Sequence, residues 1–122
     1  MLPPKTDFLR LSTRELLARR RRLARSLVAL DRVLLGSLVA QTRRCGKAGC
    51  RCTSGSGHGP YTYFTPRRAY FAPRRGGRGM RYVPVAQVAP ASDYLRHGAL
   101  VEAVLAEISA INVELLARRA LS

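Results

Sequence analysis

Two aliphatic seams at helical spacing, one toward each end of the chain, constrain the fold more than any other feature. Leu16, Leu23, Leu27, Leu30, Leu34 and Leu38 recur at mostly three- and four-residue steps, which puts them on one face of a helix. Val101, Val104, Ile108, Ile111 and Leu115 step by 3, 4, 3 and 4, a heptad seam. Ser12-Thr13-Arg14-Glu15 is a capping box, in which a hydroxyl and a carboxylate each satisfy a free backbone N–H, and it predicts a helix over 12–40. Ser92 and Asp93, good N-caps after the breaker Pro90, predict a second helix over 92–119. Neither helix can bury its seam alone. The economical solution is an antiparallel helical hairpin with a lobe at one end, and dimerisation is the alternative way to cover the seams. At 122 residues the chain is one domain long. The expected class is mainly α with a small β part: a basic helix (12–40), a loop (41–60), a short β-hairpin (61–85) and a closing helix (92–119).

Charge decides what such a scaffold can serve. Lys and Arg number 22 against 7 Asp and Glu, a net charge of +15, and an excess of that size calls for an anionic partner. Up to Gln87 there are 19 basic and 3 acidic residues; beyond it there are 3 and 4. The first part is therefore expected to meet the anion. Glu102, Glu107 and Glu114 are expected to form the solvated face of a scaffold helix. The run Arg19, Arg20, Arg21, Arg22 wraps its helix, so at least one of the four must turn toward the seam and snorkel outward. An apolar fraction of 47% separates the chain from a disordered basic tail. It has no apolar run of about 18 residues, and MLPPKTDFLR lacks the apolar stretch of a signal peptide. The expectation is a cytoplasmic protein without membrane partners, nucleoid-associated if DNA is the anion.

All three cysteines fall within eight residues, Cys45, Cys50 and Cys52, and His58 follows in Gly57-His58-Gly59-Pro60. The spacing C-x4-C-x-C-x5-H offers four donors of the kind zinc takes in a tetrahedron, in a glycine-rich setting that lets a short backbone fold around an ion. The plainer reading is free thiols in a reducing compartment and a histidine before a turn proline. A disulfide leaves one cysteine over and does not suit a reducing compartment. A nucleophilic cysteine or a catalytic zinc needs a carboxylate or amide to orient a base, yet 32–87 contains no Asp or Glu. Zinc in a structural role and no enzymatic activity are the expectations. His97, beside Gly98 on a helix flank, is expected to be an ordinary side chain.

Around the cluster lie Arg43, Arg44, Lys47 and Arg51, and the expected hairpin adds Arg67, Arg68, Arg74, Arg75, Arg78 and Arg81. Arg outnumbers Lys 20 to 2, which suits bidentate phosphate contacts. Tyr61 and Tyr63 on the first strand, with Phe64, Tyr70, Phe71 and Tyr82, interleave with these cations and can stack on unpaired bases. They can equally form the small core of a lobe poor in aliphatic residues. Arg75-Gly76-Gly77-Arg78-Gly79 resembles arms that enter a minor groove.

Gly36-Ser37-Leu38-Val39, Arg43-Arg44-Cys45-Gly46-Lys47-x-Gly49-Cys50-x-Cys52, His58-Gly59-Pro60-Tyr61-x-Tyr63 and Tyr82-Val83-Pro84 together resemble the DUF6788 family of small prokaryotic proteins. The resemblance covers most of the chain. It implies that the Cys and His residues form one unit, and an association with mobile elements that suggests a DNA or RNA context. The expected function is a non-enzymatic, zinc-stabilised nucleic-acid-binding protein, with DNA the first partner, as an accessory factor of a mobile element. The alternative is a coiled-coil interaction subunit, homodimeric or paired with another protein, of a transposase, a recombinase or an RNA–protein complex.

Overall fold

The computed structural model describes residues 5–50, 55, 57–67 and 79–122. The order of elements is α1 (Lys5–Arg10), α2 (Thr13–Ser26), β1 (Gly36–Arg43), β2 (His58–Pro66), β3 (Arg81–Val83) and α3 (Val85–Ala117). The chain is nearly half helical with a small antiparallel sheet, as the seams and the strand signals lead one to expect. It divides into two units, Met1–Val33 with His97–Ser122, and Leu34–Arg96.

In the first unit α2 begins at the expected capping box: Glu15 N–H donates to the Ser12 hydroxyl (3.1 Å) and Ser12 N–H to the Glu15 carboxylate (3.0 Å). Leu16, Ile111 and Leu115 are fully buried and join Phe8 in one cluster, with Leu11, Leu17, Leu23, Ala110 and Ala120 packed on it. Val101, at an earlier position of the closing seam, is buried as well. The pairing is antiparallel: Thr13 is approached by Arg118, Arg20 by Asn112, Arg19 by Glu107, and Val28 by His97. A Schellman motif closes α3: Ala120 N–H donates to the Leu115 carbonyl (2.8 Å) and Arg119 N–H to that of Leu116 (3.0 Å), with Arg119 at φ +57° in the left-handed position that glycine usually fills.

The first helix is shorter than 12–40. It stops at Ser26, where Leu27 turns extended, and the chain from Gly36 to Arg43 is a strand. The leucine spacing misleads here for a geometric reason. A step of four, as from Leu34 to Leu38, keeps two residues on one face of a helix and, being even, on one face of a strand too. Val39 and Thr42 tilt the choice toward the strand. Gly36 fixes where it starts, because a Cβ there would sit 2.2 Å from the Thr65 carbonyl oxygen.

The closing helix is longer than 92–119 at its start. Pro84, not Pro90, marks the beginning, with Gln87 N–H donating to the Pro84 carbonyl (2.8 Å). Pro90 lies inside α3, where its fixed φ is helical and the carbonyl it leaves without a donor, that of Ala86, belongs to the first turn.

The second unit is a three-stranded antiparallel sheet in the order β1-β2-β3. Leu38 pairs with Phe64, Val39 with Tyr63 and Gln41 with Tyr61, while Tyr63 also opposes Tyr82 on β3. The expected hairpin is thus present as β2 and β3, with β1 added along its other edge. One face carries Leu38, Phe64 and Val83, of which Val83 is buried and the other two half-buried. Alternation puts Val39, Gln41, Tyr61, Tyr63 and Tyr82 on the other. Leu34 N–H donates to the Tyr94 carbonyl (3.1 Å), tying the two ends of this unit together. Among the described residues, no helix is long and apolar enough to cross a membrane.

Candidate functional site

The connection between β1 and β2 is where Cys45, Cys50 and His58 meet. The register slips between Gln41 and Arg43, so that Arg43 pairs with His58. This irregularity carries Cys45 just past the end of β1 and sets His58 at the start of β2. Between them, Cys50 N–H donates to the Lys47 carbonyl (3.3 Å), a tight turn with Gly49 third in it at φ +77°. That is the position where a type II turn needs glycine. Pinned by strand pairing and folded back by the turn, the loop gathers Cys45 Sγ, Cys50 Sγ and a ring nitrogen of His58 within 4.8 Å of one another. Cys50 Sγ and His58 Nε2 lie 3.3 Å apart.

These distances fit an ion. In a tetrahedron with zinc–ligand bonds of about 2.3 Å to sulfur and about 2.0 Å to nitrogen, a sulfur and a nitrogen stand about 3.5 Å apart and two sulfurs about 3.8 Å. Cys45, Cys50 and His58 can therefore hold a metal with small adjustments. Cys52, expected as the fourth ligand, lies outside the described residues. His97 is used elsewhere, its Nε2 donating to the Val28 carbonyl (2.9 Å).

The family model of DUF6788, a domain of unknown function, matches residues 13–91. The chain belongs to this family. No curated protein matches it, nor does any solved structure. The matched part of the chain takes in α2, the sheet and the loop that carries Cys45 and Cys50, and it stops before the stretch of α3 that supplies Ile111 and Leu115 to the core. Residues 43–50 and 58–63, within the matched stretch, lie at the tip and along the strands of the β1–β2 hairpin.

The cations of this DUF6788 chain separate into two groups. Arg19 turns inward: its Nε and Nη2 donate to one Glu107 oxygen at 2.8 and 2.5 Å, and its guanidinium lies over the Phe8 ring. Arg20 donates to Asn112 (2.9 Å). Charge alone places both in the part of the chain expected to meet an anion; in the structure both hold α2 to α3. Arg21 and Arg22 are exposed. The acids correct the sequence reading in the same way: Glu107 is buried at 9% exposure, and Glu114 is half-buried against Arg118 (2.8 Å). Neither belongs to a solvated face. Asn112 was not singled out in the sequence, although a lone amide inside an apolar seam is the signal that would have found it.

The second group stays in solvent. Arg43, Arg44, Lys47, Arg67 and Arg81 are exposed on the hairpin and its neighbours. Arg44 also donates to the Gly55 carbonyl (3.4 Å), closing the metal loop. The guanidinium of Arg43 lies 4.6 Å above the Tyr63 ring and donates to Gln41 (3.2 Å). Arg51, Arg68, Arg74, Arg75 and Arg78, with Tyr70 and Phe71, lie outside the described residues.

Proposed function

We propose that this protein is a non-enzymatic nucleic-acid-binding protein whose second unit is stabilised by a structural zinc ion, and that DNA is its first partner. The observation that carries the reading is the division of charge. Leu34–Arg96 holds 11 Lys and Arg against a single acid, Asp93, and that acid already pairs with Arg96 one turn away. The other unit has 11 against 6, and two of its acids, Glu107 and Glu114, meet arginines. A unit that gathers cations without internal counter-charges is built for a polyanion.

Zinc suits the donor set, two thiolates and an imidazole. The unit also needs such a staple, since Val83 is its one fully buried hydrophobic side chain among the described residues, and a sheet with so little core leans on a metal. With no carboxylate between Asp31 and Asp93, a general base is missing from the sequence around the cluster, which supports a structural role. An accessory role in a mobile element is the biological setting that the family resemblance suggests.

The test is metal analysis of the purified protein together with DNA and RNA binding at two salt concentrations. One zinc per chain is expected. Neutralising Arg43, Arg44 and Arg51 together should flatten the slope of log K against log salt by about one unit per lost phosphate contact; an unchanged slope removes them from the interface.

A second reading, an interaction subunit of a transposase, recombinase or RNA–protein complex, is favoured by Leu100, Leu105, Val113 and Leu116, which α3 leaves at least half exposed. It predicts a partner or a dimer that a Leu105→Glu substitution abolishes, measured by light scattering.

A further inference from the structure

We infer that the sheet face bearing Tyr61, Tyr63 and Tyr82 binds single-stranded DNA, with unpaired bases stacking on its rings; this deepens the nucleic-acid reading above and rests on it. Pairing places these rings together. Tyr61 and Tyr63 are two apart on β2, and Tyr82 stands opposite Tyr63 on β3. Tyr82 meets both neighbours edge to face, at centroid distances of 6.2 and 6.0 Å, so no two of the rings are stacked on each other.

The alternative role, core formation, belongs to the opposite face. There Val83 is 8% exposed and Leu38 and Phe64 are half-buried, whereas Tyr82 is 55% and Tyr61 37% exposed and Val39 on β1 is 36% exposed; Tyr63, half-buried beneath the Arg43 guanidinium, sits between them, so Tyr61 and Tyr82 are the open rings. A contiguous apolar patch of this kind marks a contact surface. Tyrosine suits it, because the ring offers a π face to any base while the hydroxyl tolerates water.

Charge complementarity names the occupant. Arg43 lies over the Tyr63 ring, at one side of an open cleft lined by Gln41, Thr42, Arg43, Tyr63 and Met80. Exposed Arg44 and Lys47 follow Arg43 beyond the end of β1, whereas Arg81 pairs with Phe64 and belongs to the other face. Rings flanked by guanidinium groups are the combination that holds bases and backbone of one strand at once. In a duplex the base faces are already stacked on one another, so the rings gain nothing from it. Gln41 Oε1 accepts from Arg43 while its amide N–H groups stay able to donate, so the face itself fits a single strand of either sugar; DNA is the occupant carried over from the reading above, and oligouridylate is the ligand that separates the two.

The experiment titrates the full, zinc-loaded chain with oligothymidylate of about 20 nucleotides, enough to cover one such surface. The comparison ligands are the corresponding dA·dT duplex and oligouridylate of equal length. Because the chain has no Trp, tyrosine emission reports the stacking directly and should be quenched by the single strand. Tyr61→Leu and Tyr82→Leu, both at exposed positions, should each weaken binding on the order of tenfold while leaving the salt slope unchanged. Tyr82→Phe, which keeps the ring, should bind like the wild type.

Duplex bound as tightly as the single strand, Leu variants that bind normally, or a Phe variant as weak as Leu would each overturn the stacking face. Oligouridylate bound more tightly than oligothymidylate would overturn the assignment to DNA. Those failures leave a salt-sensitive binder intact; a wild-type protein that binds none of the three ligands would sink the nucleic-acid reading itself.

Discussion

The two units of this chain solve the same problem, a +15 protein that must still fold, in opposite ways. The helical unit buries Phe8, Leu16, Ile111 and Leu115 together and turns arginines inward onto Glu107, Asn112 and Glu114. Its charge is part of its scaffold. Among its described residues the sheet unit buries little, leaves Arg43, Lys47 and Arg81 exposed, and gathers sulfur and nitrogen donors at one hairpin tip. Arginine in a short basic run is thus no guide to a ligand surface until its counter-charge is located. Where an acid or amide lies within reach across a helix pair, the guanidinium is structural. In the acid-poor sheet unit the nearest carboxylates in sequence to Arg43 and Arg81 are Asp31 and Asp93, each 12 residues away, and both arginines stay exposed.

The largest expected effect cuts between the units. Chelation, or Cys50→Ser, should abolish metal uptake and dissolve the tertiary signals of the sheet unit, since a structural zinc site supplies roughly 10 kcal/mol or more of folding free energy in small metal-dependent domains. The helical signal of α2 and the C-terminal part of α3 should survive, as circular dichroism of the stripped protein would show. If helix and sheet are lost together, the two units do not fold on separate grounds.

Ile111→Ala reverses the experiment. Deleting a fully buried side chain should cost about 3 kcal/mol in denaturant unfolding of the helical unit while zinc content stays at the wild-type value. Arg19→Met should cost about 2 kcal/mol, because it leaves the buried Glu107 carboxylate without its donor. A neutral outcome there would return Arg19 to the set of residues free to meet phosphate. Smallest, Arg119→Gly should stabilise by roughly 1 kcal/mol, relieving an L-residue at φ +57°, read as a rise in the thermal midpoint.

How much of this was legible beforehand follows from what each signal depends on. The capping box at Ser12 and the seam through Ile111 and Leu115 are local patterns, and both appear where the spacing puts them. The proximity of Cys45, Cys50 and His58 was legible because donors so close in sequence need only a turn to meet. The boundary at Ser26 was not, since a four-residue step satisfies helix and strand alike and the strand wins through pairing with residues near Pro66. Nor were the roles of Arg19 and Arg20, whose partners Glu107 and Asn112 lie 88 and 92 positions away. Exposure of the tyrosines also needed the register, because alternation along β2 alone does not say which side faces water.

The division of the chain has one consequence for its synthesis. The sheet unit is inserted within the helical one, so α2 leaves the ribosome long before the residues that will cover Leu16 exist. Its apolar stripe must wait, exposed, through the whole of the inserted segment. The hydrogen bond from Leu34 to the Tyr94 carbonyl draws together the points where the chain leaves the helical unit and returns to it. Once the inserted unit has closed, the loop that remains between Arg19 and Glu107 is effectively far shorter than 88 residues, and the entropic cost of bringing the two helices together falls with it. The insertion would then act as a clasp on assembly, shortening the interval in which a strongly basic, half-made helix lies open to the wrong partner.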